Sequence, residues 1–234
     1  MEISLESRLY NRIESSKKSQ EFRFINEEKW IPKNIYDKAL DLGCGSGLYT
    51  KFMSEMGIST VAFDIDLKSL KIADDYVRES SLKKCCGTGA FLPFKDSVFD
   101  LVICIEALSH LSHLDHEYVF KECHRVLKKN GVMIISVHNK TRFYIQNISR
   151  LKKPTSVIVN PGLDIYTLNK TELKKGLKKV GFQFMKGFFF KNYFNSLYLR
   201  YPMLFHYLSK CENFFSKIPI LNRLGITIIT MVKK

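Results

Sequence analysis

The residues with chemical potential in this chain fall into three groups. Gly43, Gly45 and Gly47 alternate in Ala39-Leu40-Asp41-Leu42-Gly43-Cys44-Gly45-Ser46-Gly47. Three positions without a Cβ let a ligand lie against the backbone. A helix opening at Leu48 would present unpaired N–H groups to it. Asp41 can face that ligand or brace the loop. Asp64 ends an apolar run a little under twenty residues past the loop, where a carboxylate can accept bonds from both hydroxyls of a ribose. Glu106, His110 and His113 follow another apolar run, and His138 follows a third. Imidazole titrates near neutrality, so each histidine could act as a base. For each of them taken singly a structural role comes first, with His110 or His113 capping the following helix or packing at the surface.

These groups need elements to position them. Residues 37–42 read as a short buried strand. A helix from Leu48 to about Met56 carries Leu48, Phe52, Met53 and Met56 on one face, with Gly57 as its stop. Ser59 to Phe63 reads as the second strand, and Asp66 suits the N-cap of the helix after it. Residues 99–105 are apolar enough for a parallel strand buried on both faces. A helix from about Asp115 to Lys129 follows, with Val119, Cys123, Val126 and Leu127 as its buried stripe. Asn130-Gly131 ends it, and Val132 to Val137 is the next strand. Residues 138–166 read as a polar, irregular link holding Arg142, Tyr144 and Asn160-Pro161-Gly162. Asn169-Lys170-Thr171-Glu172 is a capping box for a helix closed by Gly181. Strands over about 182–190 and from Ile226 to Val232 complete the pattern.

The run Asp41 to Gly47, read D-x-G-x-G-x-G, resembles motif I of the class I S-adenosylmethionine (SAM)-dependent methyltransferases. A dinucleotide turn would read G-x-G-x-x-G. The stretch from Gly87 to Ile105 resembles the same family's G-D-A-x-x-L-P-F-x-D-x-x-F-D-x-V-x-x run. Glu122 to Gly131 resembles its E-x-x-R-V-L-K-P-G-G. The resemblance covers roughly residues 37–139. It implies a Rossmann-like α/β fold: a seven-stranded, mostly parallel sheet with an antiparallel last strand and helices on both faces. It implies SAM as cofactor, met by Asp41, Gly43, Cys44, Gly45 and Gly47, by Asp64 and Ile65, by Thr88, Gly89 and Ala90, and by Ile105. One position departs from the pattern. The family places an aspartate for the adenine amino group where Thr88 stands here, so adenine would rest mainly on backbone groups around Thr88, Gly89 and Ala90.

The same resemblance orders the catalytic candidates. His110 comes first, because related enzymes often carry histidine in this loop, followed by Glu106 and His138. A single methyltransferase domain over 1–234 is expected. Residues 1–36 would be an N-terminal helical cap whose Tyr10 faces substrate, together with Arg142 and Tyr144 of the link. Residues 37–190 would be the SAM-binding core, 191–224 an aromatic and basic helical insertion, and 225–234 the last strand. The insertion can cap the substrate pocket or meet a lipidic substrate or an anionic membrane surface.

Composition bounds the partners. Lys and Arg number 37 against 23 Asp and Glu in 234 residues, a formal net charge of +14. That allows an acidic partner, but the basic residues are spread along the chain, which favours a solvated surface over a nucleic-acid footprint. The six cysteines include no C-x-x-C, so neither a disulfide framework nor a metal site is expected, and a reduced, cytoplasmic protein is. The first twenty residues are polar, and no apolar run approaches a membrane span. Motifs of DNA-adenine, cytosine-C5 and protein-arginine methyltransferases are absent. The expected function is methyl transfer from SAM to an O, N or C atom of a small-molecule or lipid acceptor, with no obligate protein partner evident. The alternatives are an RNA methyltransferase, favoured by net charge, and a SAM-binding protein without transferase activity, favoured by Thr88.

Overall fold

The computed structural model describes residues 31, 36–77, 82–142, 156–160, 163–191, 207, 211, 214, 218, 225 and 227–234. Strand β1 is Lys38–Leu42, followed by helix α1, Leu48–Glu55. Strand β2, Ser59–Asp64, leads to α2, Leu67–Val77, and then to β3, Lys83–Cys86. Strand β4 is Phe99–Ile105; a 3-10 turn over Ala107–His110 joins it to α3, His113–Val126. Strand β5 is Leu127–His138. A hairpin of β6, Ser156–Asn160, and β7, Leu163–Tyr166, precedes α4, Lys170–Lys179. Strands β8, Gln183–Lys191, and β9, Thr227–Lys233, complete the described elements.

Seven strands form one sheet in the order β3-β2-β1-β4-β5-β9-β8. β1 pairs in parallel with β2 and β4, and β4 with β5, whereas β9 runs antiparallel to both β5 and β8. The expected mostly parallel sheet with an antiparallel last strand is therefore present. Alternate residues of the central strands feed two cores. Leu40, Val102, Cys104, Met133 and Ile135 pack with Val119, Cys123 and Val126 of α3 and Leu173 and Leu177 of α4. Ala39, Leu101, Ile103, Val132 and Ile134 pack on the other face with Met53 of α1 and Ile229 and Met231 of β9.

Several boundaries differ from expectation. The third helix opens at His113 rather than Asp115, because Ser112 is its N-cap and accepts from the Asp115 amide at 3.3 Å. It ends at Val126 rather than Lys129: Leu127 already pairs with Phe99, and the chain bulges before Val132 pairs with Leu101. Asn130 adopts φ 65° within that bulge. The link over 138–166 is not wholly irregular. It contains the β6–β7 hairpin, paired antiparallel from Ser156↔Tyr166 to Asn160↔Leu163. The N-terminal cap with Tyr10, Tyr144, and most of the 191–224 insertion lie outside the described residues.

Candidate functional site

The glycine loop is built by its own neighbours. The amides of Gly43 and Cys44 both donate to the Phe63 carbonyl, at 2.8 and 3.0 Å, which ties the loop to the end of β2. Gly43 has φ +75°, and a Cβ there would collide with Ala107 of the 3-10 turn. Gly47 has φ +81°, and a Cβ there would stand 2.7 Å from the Ala73 Cβ on α2. At these two positions the protein's own close packing, in a backbone conformation that suits glycine, requires the residue. Asp41 is the brace rather than a wall. It is 2% exposed, accepts the Thr50 hydroxyl at 2.6 Å, and lies beneath the loop instead of lining the cleft above it. Burial pushes its carboxyl up to about 7; bonds from the Thr50 hydroxyl and amide oppose the shift, and the charge of Asp64 reinforces it.

Above the loop lies a cleft of about 620 Å³ at the C-terminal edge of β1, β2 and β4. Open α/β sheets bind ligands along this edge. Asp64 stands in its wall and accepts the Gly45 amide at 2.9 Å through Oδ2 and the Asp66 amide at 3.0 Å through Oδ1. Those bonds fix the carboxylate plane, and each oxygen keeps a lone pair for a ligand hydroxyl. Asp66 caps α2, accepting the Lys68 amide at 3.1 Å and the Ser69 amide at 3.2 Å. These bonds hold its carboxyl below the usual range, the Lys68 amide most of all. The described lining residues include Asp64, Asp66, Glu106 and His110 but neither lysine nor arginine. In a protein of net charge +14, that is an acidic cleft in a basic surface. It suits a cationic ligand and repels a phosphate.

Glu106 follows β4 in the left-handed region, φ 58°. Its amide donates to the Ser136 carbonyl at 3.2 Å and the Ser136 hydroxyl at 3.1 Å. Its Oε1 accepts the Thr227 hydroxyl at 3.0 Å. A non-glycine residue held in this conformation costs about 1–2 kcal/mol, a strain that clusters at functional sites. His110 ends the 3-10 turn and lines the same cleft. The residue as a whole is exposed, yet crowding of its ring by protein lowers its pKa. The nearby His138 lowers it further, while Glu106 and Asp64 act in the opposite direction. The two thiols in the cleft wall are poor nucleophiles. Burial, with help from Asp41, pushes Cys104 up to about 12, and burial raises Cys44 as well.

The cleft thus brings together Gly43, Cys44, Gly45, Asp64, Ile65, Gly89, Ile105, Glu106 and His110. Asp41, Gly47, Thr88, Ala90, His138 and Arg142 are not part of its wall. Thr88 is exposed, and its hydroxyl accepts the Ala90 amide at 3.3 Å. His138 ends β5, and its carbonyl accepts the Leu168 amide at 3.2 Å. Arg142 is half-buried beyond the end of β5. The sequence reading passed over Thr50, Ser136 and Thr227. The apolar run of β9 marks Thr227 only as a strand residue, and nothing local links it to Glu106. Arg125 was legible only as a motif letter. Its guanidinium ties the 92–96 segment to α3 through the Leu92 carbonyl at 2.9 Å, the Phe94 carbonyl at 2.7 Å and Asp96 at 2.8 Å.

A sheet in this order, with an acid closing its second strand and a glycine loop beside it, defines the Rossmann-like methyltransferase type of fold. A family model described as a methyltransferase domain matches residues 40–135. An uncharacterized protein of Methanocaldococcus jannaschii is 30% identical over 183 residues, 70% of this chain and 69% of that protein. The ubiquinone biosynthesis O-methyltransferase of Pelagibacter ubique is 33% identical over 123 residues, 52% of this chain and 49% of that protein. The chain therefore spans about half the length of the first curated relatives it matches. The crystal structure of an S-adenosylmethionine-dependent methyltransferase from Mesorhizobium loti superposes with TM-score 0.66 at 14% identity, covering 91% of this chain and 98% of that one. The chain belongs to the class I SAM-dependent methyltransferases.

SAM is the cofactor of this family, and the residues present fit it. It carries a sulfonium, a zwitterionic amino-acid portion and a ribose, and the described lining of the cleft offers carboxylates and neither lysine nor arginine. Asp64 would hold the ribose, and the loop from Gly43 to Gly45 would face the amino-acid portion. No group of three or more potential metal ligands occurs among the described residues. No described helix is long and apolar enough to cross a membrane.

Proposed function

We propose that the protein transfers a methyl group from SAM to a hydroxyl of a small, lipophilic acceptor in the cytoplasm. The observation that carries this reading is the acidic cleft with Asp64 locked at its centre by the Gly45 and Asp66 amides. The bound sulfonium supplies an electrophilic methyl group. Glu106 and His110 follow β4 in the cleft wall, and the acceptor would enter beside them. With SAM bound, an O–CH3 bond would form as the S–CH3 bond breaks, and a ring nitrogen of His110 would take the acceptor's proton. Crowding of its ring lowers the His110 pKa, which favours the neutral form that accepts a proton. Glu106, held by Thr227, stabilises the imidazolium that results. The rest of the effect is alignment of donor and acceptor and exclusion of water.

Relatives named ubiquinone biosynthesis O-methyltransferases support an oxygen acceptor on a quinone-like ring. All six cysteines are free thiols, which fits a reducing compartment. Net charge favours an RNA acceptor as the second reading, which binding that weakens steeply with salt would mark. The test is calorimetric titration with SAM and its demethylated product, S-adenosylhomocysteine. Binding weakened roughly 10- to 100-fold or more in Asp64→Ala supports the site. An unchanged affinity overturns it.

A further inference from the structure

We infer that His116 is a positioning residue: from α3 it fixes the turn that delivers His110 into the cleft. This rests on the reading above of His110 as the base. The segment from Glu106 to His110 is short and holds itself weakly. The Ser109 amide reaches the Glu106 carbonyl only at 3.4 Å, and the Leu111 amide donates to the Leu108 carbonyl at 3.1 Å. Hydrogen-bond geometry in a 3-10 turn is poor, so a turn of this length depends on what surrounds it. Its Glu106 end is held from the sheet. Ser136 of β5 accepts the Glu106 amide, and Thr227 of β9 donates to the carboxylate. Toward the His110 end, a hold comes from a helix.

His116 lies in the first turn of α3 and is 3% exposed. A helical side chain leans back toward the helix N-terminus, here over the turn that precedes the helix. Its Nε2 stands 2.8 Å from the Leu108 carbonyl oxygen. A carbonyl oxygen only accepts, so Nε2 carries the hydrogen and donates it. That oxygen then takes two bonds, from the Leu111 amide and from the ring, which fill both its lone pairs. The Leu108 side chain is buried in the core with Val119 and Cys123 of α3. Leu108 is thus fixed by side chain and carbonyl together, two residues before His110 ends the turn. His116 itself is not part of the cleft wall. An apolar side chain could fill its buried space; what histidine adds is the bond to the turn. The groups that bear on the charge of the His110 ring are His138, Glu106 and Asp64. They end β5, follow β4 and end β2, so a turn that slips moves the ring against all three.

The test follows the His110 ring by NMR titration of the full chain without cofactor, its signals assigned by their loss in His110→Asn. In the unaltered protein the ring should titrate below the ordinary histidine range. In His116→Phe, which fills the space but cannot donate, the midpoint should rise toward that range. In His116→Gln, whose side-chain amide can stand where Nε2 stood, it should stay low. A role in stability alone would lower the Tm of His116→Phe and leave the His110 midpoint in place, which would overturn the inference. Equal shifts in the Phe and Gln variants would overturn it too, by tracing the effect to packing rather than to the bond. If His116→Phe does not fold, His116→Asn, whose amide is too short to reach Leu108, carries the same expectation. Calorimetry on the same proteins should give an unchanged affinity for S-adenosylhomocysteine, because Asp64 and the glycine loop are untouched. Failure of S-adenosylhomocysteine to bind the unaltered protein would overturn the functional reading. The His110 shift, read without cofactor, separates that failure from failure of the inference.

Discussion

Replacing Asp41 by asparagine isolates the electrostatic cost of the loop's brace. The carboxyl is 2% exposed, and its burial pushes the pKa from 3.8 to about 7 despite the bonds from Thr50. The native chain therefore holds a proton that the unfolded chain releases. For a group raised in this way, the stabilisation is complete below the unfolded pKa near 4 and is lost as pH rises through 7. Three pKa units at ~1.4 kcal/mol each make the full swing ~4 kcal/mol, of which ~2.5 kcal/mol falls between pH 5 and 8. Asparagine keeps the shape and one acceptor but carries no charge. Urea unfolding of both proteins at unit pH steps, with equal m-values, gives the difference directly. The difference should move in favour of Asp41→Asn by ~2.5 kcal/mol from pH 5 to pH 8. A flat difference, or one that moves against asparagine, would mean that Asp41 is ionised in the native loop and that burial does not dominate its titration.

Three further substitutions probe the parts separately. His110→Asn should cut methyl transfer by roughly 10²- to 10⁴-fold and leave S-adenosylhomocysteine affinity intact. The unaltered enzyme's rate should rise with pH and level off below the ordinary histidine range, because the base form is present above a lowered pKa. A profile that levels off only well above neutrality would remove His110 from the role. Gly47→Ala puts a Cβ 2.7 Å from the Ala73 Cβ at φ +81°. It should cost at least ~1–2 kcal/mol in a thermal melt, and an unchanged Tm would show that the loop tolerates a side chain. Arg125→Lys loses the fork that joins the Leu92 and Phe94 carbonyls to Glu122 and Asp96. A loss of roughly 1–3 kcal/mol in urea unfolding is expected, and no loss would reduce that network to a surface ion pair.

The sequence showed β1, β2, β4 and most of β5 from their apolar runs, but not β3, Lys83–Cys86, which has two lysines and no fully buried residue. It was less clear where two signals competed. Leu127 fits the apolar stripe of α3, but pairing with Phe99 takes it into the sheet, and tertiary context overrides helical period. The run Val157-Ile158-Val159 before Asn160-Pro161-Gly162 is β-branched residues ahead of a turn, and it forms a hairpin that the surrounding polar residues concealed. The alternating glycines were visible, but the reason for two of them was not. Gly43 and Gly47 make room for Ala107 and Ala73, which come from other elements. Thr227 is 121 residues from Glu106, so no window of sequence could join them.

The position of β9 has a consequence for the order in which this molecule becomes competent. β9 lies between β5 and β8 in the sheet and pairs with both, His138 with Thr227 and Val132 with Lys233 on the β5 side. During synthesis at ~5–20 residues per second, the apolar edge of β5 waits several seconds for its neighbour. Such non-local pairing is slow to form. The strand that closes this edge also carries Thr227 to Glu106, and Asn139 meets the Gly225 carbonyl just before it at 2.8 Å. The last pairing of the sheet is thus also the step that orients the acid beside His110. A partly folded chain could bind cofactor through the β1–β2 half, but it would lack a finished acceptor end. On the proposed mechanism, catalysis is in this way reserved for molecules that have completed their fold.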